Sequence, residues 1–148
     1  MSAAKGVLAG AGTTLVALGG INAALALTVE TCTQGSADSL AAVVITLPLY
    51  LVGFALLTLR PSRSLLVALA PIAFVAAWHS WFALRLGIGH WSSGLSACEA
   101  MFGLSAGAGW EADGREPWFI AGWSAASILF WASYAALWRL ASRPAVAP

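Results

Sequence analysis

The sequence predicts an all-α integral membrane protein: a four-helix bundle with both termini cytoplasmic and a long ordered outer loop between helices 3 and 4. Three observations carry this. First, 60% of the 148 residues are hydrophobic and only 9% are charged, with a mean hydropathy of +0.84, against roughly 25% charged in soluble domains. A soluble domain of this size must cover itself with polar side chains, and these are too few. Second, four apolar stretches, at 6–29, 40–59, 64–84 and 118–140, match the roughly 20 helical residues that cross a hydrocarbon core. Third, the few charges are sorted along the chain. The composition excludes a disordered chain and a basic nucleic-acid binder, so no nucleic-acid partner is expected.

The first span follows Lys5 and carries the triplet Ala24, Leu25, Ala26, as a cleavable signal peptide does. Its apolar run is longer than a signal core, so it reads as a true transmembrane helix. The second span ends at Arg60 and Pro61, because proline removes a donor and disfavours helix at the residue before it. Pro48 and Pro71 lie inside spans two and three and predict a kink in each. Pro117 suits the first turn of span four. Residues 86–117 form the outer loop, in which 95–104 reads as a short helix. Leu95, Met101, Phe102 and Leu104 would turn its apolar face to the membrane interface.

Orientation follows from the cations, which accumulate at cytoplasmic ends of spans. Lys5, Arg60, Arg63, Arg139 and Arg143 occupy the termini and the short turn between spans two and three, with no acid among them. All six acids sit in the other two connections: Glu30, Asp38, Glu99, Glu111, Asp113 and Glu116, accompanied only by Arg85 and Arg115. Both ends and the Arg60–Arg63 turn are therefore expected in the cytoplasm, and the protein in a bacterial inner (plasma) membrane. Glu111, Asp113 and Glu116 read as a solvated acidic loop, since the alternating run of calcium ligands is missing.

Association inside a bilayer relies on close packing, which small residues permit. Span one offers Gly6 and Gly10 in small-xxx-small spacing, with Gly12, Gly19 and Gly20. Span four offers Ala121, Gly122, Ala125, Ala126, Ala132 and Ala136. These faces serve packing within the bundle or docking of other subunits. Of the eight tryptophans, Trp78, Trp81, Trp91, Trp110, Trp118 and Trp123 are expected in an outer aromatic belt and Trp131 and Trp138 in the inner half of span four.

Both cysteines, Cys32 and Cys98, fall on the side assigned as outer, where an oxidising compartment favours a structural disulfide. A thiol relay would need a Cys-x-x-Cys, which is absent. Polar residues at membrane depth are the other candidates for function: Asn22, His79 and Arg85. His79 could ligate haem, bond a quinone or relay protons, and Arg85 could hold a lipid phosphate or pair with Glu30 or a loop acid. No pattern points to catalysis or to a resident metal. The leading expectation is a non-catalytic accessory or assembly subunit of a larger membrane complex, with membrane lipids and other subunits or further copies of itself as partners. One alternative is a quinone- or haem-binding component of an electron-transfer system. Another is a small transporter or channel, for which Thr13, Thr14, Asn22, Thr46, Tyr50, Ser124 and Ser127 supply few lining groups.

Overall fold

The structure, a computed structural model, describes residues 2–26, 36–103 and 114–143. It is all-helical among these residues: α1 (Ser2–Leu25), α2 (Ser36–Thr58), α3 (Arg63–Ala68), α4 (Ala70–Ser93), α5 (Ala97–Phe102) and α6 (Glu116–Ala141). α1, α2, α4 and α6 are long and apolar enough to cross a membrane, the architecture of an integral membrane protein. Cys32, Glu30, Leu104, Trp110, Glu111 and Asp113, and the end of the first expected span, lie outside the described residues.

The element boundaries follow local chemistry. α2 begins at Ser36, ahead of the expected 40, with Asp38 in its first turn, where a carboxylate favours the helix N-terminus. It runs through Pro48 without interruption. The expected third span, 64–84, is divided instead. Ser62 caps α3 by accepting the Leu65 N–H at 3.3 Å. Leu69 then ends α3, and α4 starts with Pro71 in its first turn, so the kink anticipated at Pro71 is a junction between two helices.

α4 also continues to Ser93, nine residues past the predicted end at Leu84, and takes in part of the expected outer loop. Gly87 and Gly89 weaken a helix but neither breaks it. The stop is Gly94, left-handed at φ 65°, a conformation glycine adopts without a Cβ penalty. At Gly89 the missing Cβ serves packing: one built there would lie 2.6 Å from Ala100 Cβ of α5.

Contacts fix the order of the helices. Asn22 of α1 bonds Ala42 and Thr46 of α2, while Gly12 faces Gly53 and Leu57, so α1 and α2 are antiparallel. α2 and α6 run parallel: Gly122 abuts Val43, and Tyr50 meets Phe130 at 5.3 Å. α4 and α6 are antiparallel through His79 with Ser127 and Gly87 with Ser124. α1 closes the ring on α4 through Gly20 and Ile72. The consecutive spans α2 and α4 are thus not the principal neighbours; each packs chiefly on α1 and α6.

Gly12, Gly19 and Gly53 carry the close approach of α1 and α2. A Cβ on Gly12 would lie 2.8 Å from the Gly53 carbonyl oxygen, and one on Gly53 would lie 2.7 Å from Val16 Cγ2. The expected Gly6/Gly10 pair does not perform this role: both are exposed, and nothing lies within 4 Å of a Cβ on Gly10. In α6, Gly122 and Ala126 face inward, whereas Ala121, Ala125, Ala132 and Ala136 are exposed. The core is aromatic at its centre, with Tyr50, Phe54 and Phe130 edge to face.

Candidate functional site

The three polar residues singled out at membrane depth do not converge on one site; each joins a different pair of elements. Asn22, half-buried on α1, donates through Nδ2 to the Ala42 carbonyl (3.0 Å) and to Thr46 Oγ1 (2.9 Å) on α2. Arg85, exposed on α4, donates through Nη2 to the Ala100 carbonyl of α5 at 3.4 Å; Glu30, one of its expected partners, lies outside the described residues. His79, 2% exposed, faces α6.

His79 has the most chemistry. Its Nδ1 lies 3.3 Å from Ser127 Oγ, and its ring meets Trp123 edge to face at 5.0 Å. Ser127 donates its one hydroxyl hydrogen to the Trp123 carbonyl at 3.0 Å. The Nδ1–H is then the donor to Ser127, and Nε2 carries the lone pair. That Nε2 is buried and lacks a hydrogen-bond partner among the described residues, as do Ser39 Oγ and Tyr50 OH. A buried acceptor without a donor is costly, so it marks a place where a donor would be held firmly. Ser127, which the sequence offered only among channel-lining residues, is thus the partner of the most deeply placed candidate. Its signal was a hydroxyl on the α6 face that also carries Trp123 and Phe130.

His90 is engaged locally: Nδ1 donates to the Leu95 carbonyl at 3.1 Å and the ring packs on Trp91. Because α4 continues through both histidines, eleven residues separate them by about 16 Å along the axis. They cannot take opposite axial positions on one haem iron.

α5 covers the end of the bundle where α4 stops and α6 begins, and here several expectations are corrected. Met101 is buried at 3% exposure with Ala97 and Ala100, rather than turned to the membrane interface, because α5 folds back onto α4. Leu95 is exposed. Ser96 and Glu99 form a reciprocal capping box. Ser96 N–H and Oγ each donate to Glu99 Oε2 at 2.9 Å, and Ser96 Oγ accepts the Glu99 N–H at 3.3 Å. The Ser96 backbone N–H, and then its hydroxyl, hold the Glu99 carboxyl below its usual range against a small opposing effect of desolvation. Glu116 is not a solvated loop acid: it is 6% exposed, and its Oε1 accepts the Ala97 N–H at 3.2 Å. Cys98 is buried at 6% exposure and is not a free thiol.

Trp91 and Trp118 are exposed near the end of α4 and the start of α6, as in the expected belt, whereas others depart from it. Trp123 is fully buried against His79. Trp78 and Trp81 lie near the middle of the lengthened α4, exposed by 53% and 60%. Trp131 on α6 donates its Nε1–H to Ser80 Oγ at 2.9 Å. Comparison of the chain with protein-family models, curated proteins and solved structures finds no match.

Proposed function

We propose that this protein is a non-catalytic accessory or assembly subunit of a larger complex in a bacterial inner (plasma) membrane. Both termini lie in the cytoplasm, and the α4–α6 connection forms a periplasmic loop. The observation that carries this is the outward face of α4, where Phe74, Trp78 and Trp81 are exposed at successive helical turns. Trp81 lies at the midpoint of the 24-residue apolar helix, about 17 Å from either end. Its N–H and that of Trp78 have no acceptor among the described residues, unlike that of Trp131. An indole N–H left in hydrocarbon is unfavourable, and a neighbouring transmembrane helix would supply acceptors and a packing surface.

Positive-inside placement of Arg60, Arg63, Arg139 and Arg143 supports the orientation. The same reading pairs Cys32 with Cys98 in a disulfide across the outer face. Its support is the count of two cysteines, both on the acid-bearing side, and the absence of a free thiol at Cys98. Such a link stabilises by about 2–4 kcal/mol in the chain-entropy view.

The test is extraction of the chain from its native membrane in mild detergent. A co-purifying membrane protein, lost on Trp78→Ala with Trp81→Ala while the helical circular dichroism is kept, is the expected result. A stable monomer without a partner overturns the reading.

A second reading, a quinone- or haem-binding role, is favoured by one observation, the unpartnered Nε2 of His79. It offers a lone pair to a quinol hydroxyl or to an iron. An optical spectrum and a quinone assay of the solvent extract decide it: finding no chromophore and no quinone overturns this alternative.

A further inference from the structure

We propose that the arginine-bearing end of the bundle binds an anionic phospholipid, seated in the cleft between α3 and the last turns of α6. This cleft has a volume of about 530 Å³. Leu66 and Val67 form one wall, and the rings of Tyr134 and Trp138 form the other. The Tyr134 hydroxyl is turned inward to donate to the Leu66 carbonyl at 3.4 Å, so the cleft meets the apolar ring rather than its polar tip. Arg63 and Ser142 stand at the rim. The junction of α3 and α4 at Pro71 opens this space, since α3 is a separate helix that packs on α6.

A second groove of about 430 Å³ lies on the adjoining face of α6. Its floor is Ala132, Ala135 and Ala136, and Arg139 and Arg143 stand at its end. Trp138 and Arg139 are consecutive, so the two grooves flank one helix. A cleft between two helices and the open small-residue face beside it, each with an arginine among its lining residues, suit a lipid with two chains and an anionic head.

Charge selects the occupant. Arg60, Arg63, Arg139 and Arg143 belong to this end, whereas the described acids Asp38, Glu99 and Glu116 belong to the opposite end. The cations here are uncompensated among the described residues. A hydrocarbon chain alone would leave them unpaired. A zwitterionic lipid brings its own cation against them. A phosphate without chains would leave the cleft walls unfilled. An anionic phospholipid satisfies both the walls and the rim, through charge-assisted hydrogen bonds of the guanidinium to phosphate.

Native mass spectrometry of the full chain, released from detergent with equal amounts of phosphatidylglycerol and phosphatidylcholine, tests this. Preferential retention of phosphatidylglycerol is expected. Arg63→Gln should weaken that preference about fivefold, and Arg63→Lys should keep most of it. Val67→Trp, which fills the cleft without changing charge, should reduce retention of both lipids. Circular dichroism establishes that each variant is helical. Equal retention of the two lipids overturns the proposal, as does phosphatidylglycerol retention that neither Arg63→Gln nor Val67→Trp changes. Displacement of phosphatidylglycerol by inorganic phosphate also overturns it, since that would show an anion site without lipid.

Discussion

Glu116 Oε1 accepts the backbone N–H of Ala97 at 3.2 Å, so the first residue of α6 caps the short helix α5 that covers one end of the bundle. The first N–H groups of a helix have no intrahelical acceptor. In α5 they are met from two directions, by the Ser96 side chain locally and by Glu116 across nineteen residues of chain. Removing a buried acceptor costs about 1–3 kcal/mol. Glu116→Ala should therefore lower the unfolding midpoint in detergent and expose residues 95–103 to protease. Glu116→Gln, which keeps an accepting oxygen, should lose less. Equal behaviour of the two variants would remove the assigned role.

The capping box predicts a pH dependence. Hydrogen bonds from Ser96 N–H and Oγ depress the folded-state value of Glu99 below the roughly 4.3 of an unfolded chain. A depressed carboxylate contributes stability above its unfolded value, and the contribution is lost as pH falls through the folded value. The difference in thermal midpoint between the parent chain and Glu99→Gln should be constant from pH 7 to pH 5 and vanish in acid below the folded value. A difference that grows on acidification would contradict this sign.

Close packing of α1 on α2 predicts unequal tolerance among glycines. A Cβ on Gly53 would meet Val16 Cγ2 at 2.7 Å and the Gly12 carbonyl oxygen at 3.0 Å, whereas one on Gly10 meets nothing within 4 Å. Gly53→Val should destabilise by about 1–3 kcal/mol as the helices are forced apart. Gly10→Val should cost only its helix-propensity difference. Unfolding in mixed detergent micelles would measure both, and equal effects would show that the glycine contact does not govern this interface.

These glycines show why the spans were legible in the sequence and their packing was not. Apolar run length and charge placement are properties of one segment, so α1, α2 and α6 could be read directly. Which face of α1 meets α2 depends on a second segment: Gly12 and Gly19 matter because Gly53 and Tyr50 stand opposite, and the Gly6/Gly10 spacing carries no such information. The same holds for α4. Gly87 and Gly89 read as loop residues in isolation, but Gly89 is where Ala100 of α5 approaches. Glu116 read as a solvated acid because its partner, the Ala97 N–H, is a backbone group that no side-chain pattern announces. His79 was legible as a buried polar residue on hydropathy alone, and its partner Ser127 was not.

That partner makes a stability prediction that also bears on function. Ser127 is the hydrogen-bonding acceptor of His79 Nδ1, while Nε2 has no partner among the described residues. Ser127→Ala leaves both ring nitrogens unpaired in the core and should destabilise by about 1 kcal/mol. His79→Leu removes the unpaired nitrogens together with the ring, so it should cost less than Ser127→Ala, and the double variant should match His79→Leu alone. This non-additivity is the signature of two residues acting as a pair. If a bound donor occupies Nε2 in the native membrane, His79→Leu should instead be the more damaging change, and its penalty should disappear in protein stripped of lipid and quinone by repeated detergent exchange. Thermal unfolding of the same variants before and after exchange therefore separates a packing histidine from a ligand-holding one.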